Sequence, residues 1–113
     1  MPRQTAAATV STTHSDLLFD QLSRVLANLH RENEVKSFLE HFFTAAEQVT
    51  FAKRLGIAQE LGSGKSYEQI AKQLKVSSAT ISGVGLALKS EPIQTAMRFL
   101  AADNWWRRLL RRK

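Results

Sequence analysis

Hydrophobic residues recur along this chain with the period of a helix and nowhere with the alternation of a strand. Leu18, Leu22, Val25 and Leu29 fall at i, i+4, i+7 and i+11, one stripe of a first helix that begins near Asp16. Val35, Phe38, Leu39, Phe42 and Phe43 repeat at i, i+3, i+4, i+7 and i+8 and predict a second helix over 34–43. Thr44-Ala45-Ala46-Glu47 has the form of a capping box and opens a third, with Phe51, Leu55 and Ala58 as its expected apolar stripe. Gly62-Ser63-Gly64 stops it. Ser66-Tyr67-Glu68-Gln69 is a second capping box and starts a short fourth helix that ends near Leu74. After a turn at Lys75-Val76-Ser77 a fifth helix is expected over 78–88. Pro92 favours a break near Glu91, and a last helix is expected over 92–106. The pattern predicts an all-α protein of about six helices.

The spacing between Ile70 and Val84 narrows this further. Ile70, Ala71 and Leu74 share one face of the fourth helix, Val76 plugs the turn, and Ile81, Val84 and Leu88 form the inner face of the fifth. Two short helices that cross steeply need a small residue at the crossing, and Ala71 supplies it. The outer face of the fifth helix is left with Ser77, Ser78, Ala79, Thr80, Ser82 and Gly83. These side chains are small and hydroxylic, so the helix can lie deep in a major groove. A bundle helix would turn long charged side chains outward, and none stands between Ser77 and Leu88. The segment 66–89 therefore reads as a helix-turn-helix. Lys75 stands where the turn usually has glycine, at a cost of about 1–2 kcal/mol if its backbone is left-handed.

Charge sharpens the picture. Residues 1–52 hold four basic and six acidic groups, residues 53–89 six basic and two acidic, and residues 98–113 six basic and one acidic. The positive half suits a polyanion, either nucleic acid or an anionic membrane surface. Lys65, Lys72, Lys75 and Lys89 surround the helix-turn-helix within reach of phosphates. With no cysteine, disulfides and thiolate metal sites are excluded. No 18-residue apolar run and no secretory leader pattern is visible. His14, His30 and His41 lack metal-ligand spacing, so no metal and no cofactor is expected. Gly62-Ser63-Gly64-Lys65-Ser66 resembles the end of a phosphate-binding loop, but the glycine required five residues before Gly64 is Gln59 and a helix precedes it. No nucleophile–base set stands out, so no enzyme is expected. Residues 1–15 read as a disordered arm, 16–106 as the helical domain and 107–113 as a basic tail. That tail, with Trp105 and Trp106 before it, admits three readings: solvated charge beside a core cap, phosphate binding, or membrane-surface contact.

Residues 22–89 resemble the Trp-repressor-like superfamily, in particular its YerC/YecD-type helix-turn-helix proteins. The resemblance is carried by Phe42-Phe43-Thr44-x-x-Glu47, Lys53-Arg54-Leu55, Gly64-Lys65-Ser66-Tyr67-x-x-Ile70-Ala71 and Ser78-Ala79-Thr80-Ile81-Ser82. It implies a bacterial, cytoplasmic, nucleoid-associated transcription regulator that binds double-stranded DNA as an intertwined homodimer. The aromatic stripe of the second helix fits such a dimer, because a chain this short has little core in which to hide it. By the resemblance Ala79, Thr80 and Ser82 face the groove and Lys89 contacts phosphate, while Tyr67, Lys72, Ser77, Ser78 and Gly83 complete the expected DNA-binding set. Thr44 and Arg54 match an amino-acid ligand site. Gly83 and Ala87 stand where that site has an arginine and a serine, which argues against free tryptophan as corepressor. Glu68 replaces a DNA-reading arginine, so a different operator is expected. The sequence thus points to a sequence-specific repressor reading a pseudo-palindrome. The alternatives it leaves open are a protein-interaction module that kept the fold and a membrane-docked basic domain.

Overall fold

The computed structural model describes the backbone of residues 12–103, and the chain divides into two compact units at the Thr44–Ala45 junction. Six α-helices occupy the described residues: α1 (Thr12–Asn28) and α2 (Glu32–Phe42) in the first unit, α3 (Ala45–Gly62), α4 (Tyr67–Leu74), α5 (Ser78–Ala87) and α6 (Glu91–Asp103) in the second. The all-α class and the number of helices match the periodicity.

Helix α1 starts four residues before the expected Asp16. Thr12, Thr13 and Ser15 are modest helix formers, so propensity alone hid this first turn. The expected arm shrinks accordingly, and its first eleven residues lie outside the described region. So does the chain from Asn104 onward, which includes Trp105, Trp106 and the basic tail. The expected break near Glu91 falls at residues 88–90, between α5 and α6, and α6 starts at Glu91, one residue before the expected Pro92. Proline lacks only an N–H that the first turn leaves unpaired, so it fits there. The N–H of Gln94 closes that turn on the Ser90 carbonyl at 3.1 Å.

In the first unit, no residue of α2 is buried. Phe38 and Phe42 stack with ring centroids 5.0 Å apart, and Phe42 meets Phe43 edge-on at 5.4 Å. Leu18, Phe19, Leu22, Val25, Phe38 and Phe42 line an apolar groove in this unit. Phe42 remains 62% exposed within the single chain.

The second unit has a true interior. Helices α3, α4 and α5 pack on one another pairwise. Ile57, Ala58, Ile70, Ile81 and Val84 are buried, with Leu61, Ala71, Leu74, Val76, Leu88 and Met97 packed around them. The helix-turn-helix positions Ile70, Ala71, Leu74, Val76, Ile81, Val84 and Leu88 all belong to this cluster, as their spacing required. For α3 the expected stripe is corrected. Phe51 and Leu55 are 52% and 44% exposed, and Ile57 with Leu61 takes the inner face beside Ala58. At 100° per residue, Ile57 and Leu61 lie about a third of a turn from the Phe51–Leu55 line. Both lines are apolar, so the pattern could not say which faces α4. Gly56 identifies the contact: a Cβ there would sit 3.3 Å from Leu74 Cδ1.

Candidate nucleic-acid interface

Local chemistry fixes the ends of α3, α4 and α5, and thereby the angle at which α5 is presented. Past α3 the N–H of Lys65 donates to the Glu60 carbonyl at 3.1 Å and that of Gly64 to Leu61 at 3.0 Å. This 6→1 and 5→2 pair is a Schellman closure, with Gly64 at φ 90° in the left-handed position. The expected capping box is complete. Ser66 Oγ accepts from the Gln69 N–H at 3.1 Å, and the Ser66 N–H donates to Gln69 Oε1 at 2.9 Å.

The turn after α4 closes with a lysine in the left-handed position where glycine is usual, and the Lys75 N–H donates to the Ala71 carbonyl. Lys75 sits at φ 57°, ψ 56°, and the Val76 N–H donates to the Ala71 carbonyl at 3.3 Å. A third group holds this turn: Lys53 Nζ on α3 donates to the Lys75 carbonyl at 3.5 Å. A cation placed on carbonyls at the C-terminal end of α4 also complements the helix dipole. The strain at Lys75 is thus offset by Val76 packing on the core and by the Lys53 tether.

Helix α5 opens on Ser77, whose Oγ accepts from the Thr80 N–H at 3.1 Å. The two hydroxyls, Ser77 Oγ and Thr80 Oγ1, are also 3.0 Å apart and share a hydrogen bond. Ser77 is therefore first a helix cap, and Thr80, half-buried, has its hydroxyl engaged. Ser78, Ala79, Ser82 and Gly83 are exposed. Nothing lies within 4 Å of a Cβ built on Gly83. The expected outer face is thus on one helix surface, with Ser78, Ala79, Ser82 and Gly83 its most accessible members.

Lys72, Lys75 and Lys89 are exposed around this face. Lys65 departs from expectation, because its ammonium lies 2.9 Å from a Glu60 carboxylate oxygen and is neutralised there. Tyr67 turns toward α5, its hydroxyl 3.3 Å from where a Cβ on Gly85 would stand. Of the expected ligand residues, Arg54 is exposed on α3 of the second unit, and Thr44 ends the first. Gly83 and Ala87 supply neither a guanidinium nor a hydroxyl to complete such a site.

Three features were not anticipated: the Lys53 tether, the packing of Tyr67 over Gly85, and the exposure of Leu86 beside them. The first two join residues about twenty positions apart, and no local spacing signals them. Among the described residues no cluster of His, Asp or Glu is arranged to hold a metal, and no helix is long and apolar enough to cross a membrane.

Comparison with curated proteins and with solved structures found no match. The family model of the Trp repressor protein matches residues 18–102, which takes in almost all of α1 through α6. The packed helix-turn-helix, its capped ends and this match over most of the chain place the protein in the Trp repressor family of helix-turn-helix DNA-binding regulators.

Proposed function

We propose that this chain is a sequence-specific repressor that acts as a homodimer and reads a pseudo-palindromic operator with α5. The observation that carries the reading is the surface of α5: a short helix, fixed at both ends, whose outer face is small and hydroxylic and whose flanks bear exposed lysines. Small side chains let the helix backbone approach base edges, and flanking ammonium groups set the register on phosphates. Ser78, Ala79, Thr80, Ser82 and Gly83 face the groove in this reading, while Tyr67, Lys72 and Lys89 face the backbone. Ser77 serves by capping the helix.

Two recognition helices one helical turn of DNA apart, roughly 34–36 Å, require a dimer. The apolar groove of the first unit and the exposed Phe51 and Leu55 of the second are surfaces that a second copy would cover. Free tryptophan has no role in this reading. An indole ligand needs both faces covered and its carboxylate paired, and Gly83 and Ala87, which stand where the family's ligand site has an arginine and a serine, supply neither group.

Selection of bound sequences from a random duplex pool, run with and without L-tryptophan, tests the proposal. The expected outcome is one palindromic motif, unchanged by the amino acid. Enrichment of no motif would favour the interaction-module reading, and enrichment only with tryptophan would restore a corepressor.

A further inference from the structure

Leu86 is 68% exposed, more than any other large aliphatic side chain among the described residues of the second unit. A lone exposed leucine needs no explanation, but this one is not alone. It lines a cleft of about 290 Å³ together with Ser82, Gly85, Lys89 and Tyr67, the last 45% exposed. Ser82, Leu86 and Lys89 follow at i, i+4 and i+7, which sets them along one stripe of α5 and the turn after it. That turn remains helical: Leu88 has φ −61°, ψ −21°, and the Lys89 N–H donates to the Leu86 carbonyl at 3.2 Å. An apolar side chain therefore stands between a hydroxyl assigned to base edges and an ammonium assigned to phosphate.

We infer that Leu86 is a specificity-determining residue that reads the 5-methyl group of a thymine at the rim of the major groove. The inference rests on the DNA-reading function proposed above. The thymine methyl is the apolar group that the major groove presents, and an aliphatic side chain is the chemistry that distinguishes it. Continuity selects DNA as the occupant, since the cleft is an extension of the groove-facing stripe. Charge selects it too. Residues 53–89 carry six basic and two acidic groups, which repel a second copy of the same surface and attract a polyanion. Gly85 favours the shelf: the Tyr67 hydroxyl comes within 3.3 Å of where a Cβ would stand, so the phenol walls the cleft beside Leu86.

The test uses the full chain and the operator obtained by selection. Each thymine is replaced in turn by deoxyuridine, which deletes the methyl group alone. Binding is measured for the unaltered protein and for Leu86→Ala, a substitution that keeps a strong helix former at an exposed site. For the unaltered protein one thymine per half-site is expected to show about a fourfold loss on demethylation, the worth of one buried methyl-sized group. Leu86→Ala is expected to lose about as much on the thymine operator and to bind both operators equally. Its thermal midpoint and oligomeric state should not change. The inference is overturned if no thymine is sensitive, if Leu86→Ala still discriminates the methyl group, or if the substitution lowers the midpoint or dissociates the protein. A pool that yields no operator would instead remove the function on which the inference rests, and the inference with it.

Discussion

The two units of this chain use apolar residues in opposite ways. In the second, five of the described residues are buried and six more pack around them, so α3, α4 and α5 share one interior with Met97 of α6 at its edge. In the first, α1 and α2 carry as dense a run of leucine and phenylalanine, yet no described residue of either helix is buried. The difference lies in geometry rather than composition. Three helices enclose a volume, whereas two give each side chain neighbours on one side only. The second unit therefore has a closed interior, although Phe51, Leu55 and Leu86 stay exposed on it, and the first has no buried residue among those described.

The largest effect that would test this contrast lies in the first unit. Phe42→Ala should cost roughly 3–5 kcal/mol, the price of an aromatic core truncation, and should release monomer at micromolar concentration. Sedimentation and denaturant unfolding at several protein concentrations would measure both. An unchanged mass and midpoint would mean that Phe42 is as exposed in solution as in the single chain. The matching change in the second unit is Ile70→Ala. It should cost about 2–5 kcal/mol and remove DNA binding, while any remaining folded protein keeps its oligomeric mass. If mass falls with stability, the two units do not have separate roles.

Smaller effects distinguish the contacts of the reading head itself. Ser82→Ala should lose about 1–3 kcal/mol on the selected operator and relax choice at one position. Lys89→Ala should weaken all duplexes alike and reduce the salt slope by about one. Titrations at several salt concentrations, on the operator and on a scrambled duplex, separate the two behaviours. The smallest effect expected is a gain. Lys75→Gly relieves the left-handed backbone and should raise stability by about 1 kcal/mol, read from the denaturation midpoint, at the loss of one exposed charge.

What could be seen in the sequence was chemistry acting over three to five residues. The Ser66–Gln69 box, the stop at Gly64 and the left-handed Lys75 are local arrangements, and each stands where it was expected. Core positions of α4 and α5 were equally legible, because each of these helices has one apolar face. Helix α3 has more than one, so choosing Phe51 and Leu55 over Ile57 and Leu61 needed knowledge of which side meets α4. The candidate interface divides along the same line. Its small outer face follows from periodicity. The pairing of Lys65 with Glu60, the engagement of the Thr80 hydroxyl and the tether from Lys53 depend on where side chains arrive in space.

Gly83 has a consequence for how this protein can change. A side chain added there meets no atom within 4 Å, and glycine within a helix is less stable than alanine by about 1 kcal/mol. Position 83 is therefore an open, exposed point of α5 at which a Cβ can be added without rearranging the interior. A single codon change at this point would strengthen the helix and, if α5 reads DNA as proposed, add a new group to its groove-facing side in the same step. Directed evolution toward a different operator, or toward an effector-dependent one, would find its first permissive site here. Variant libraries built at position 83 should retain folded protein across most of the amino-acid alphabet, proline excepted, while their sequence preferences diverge.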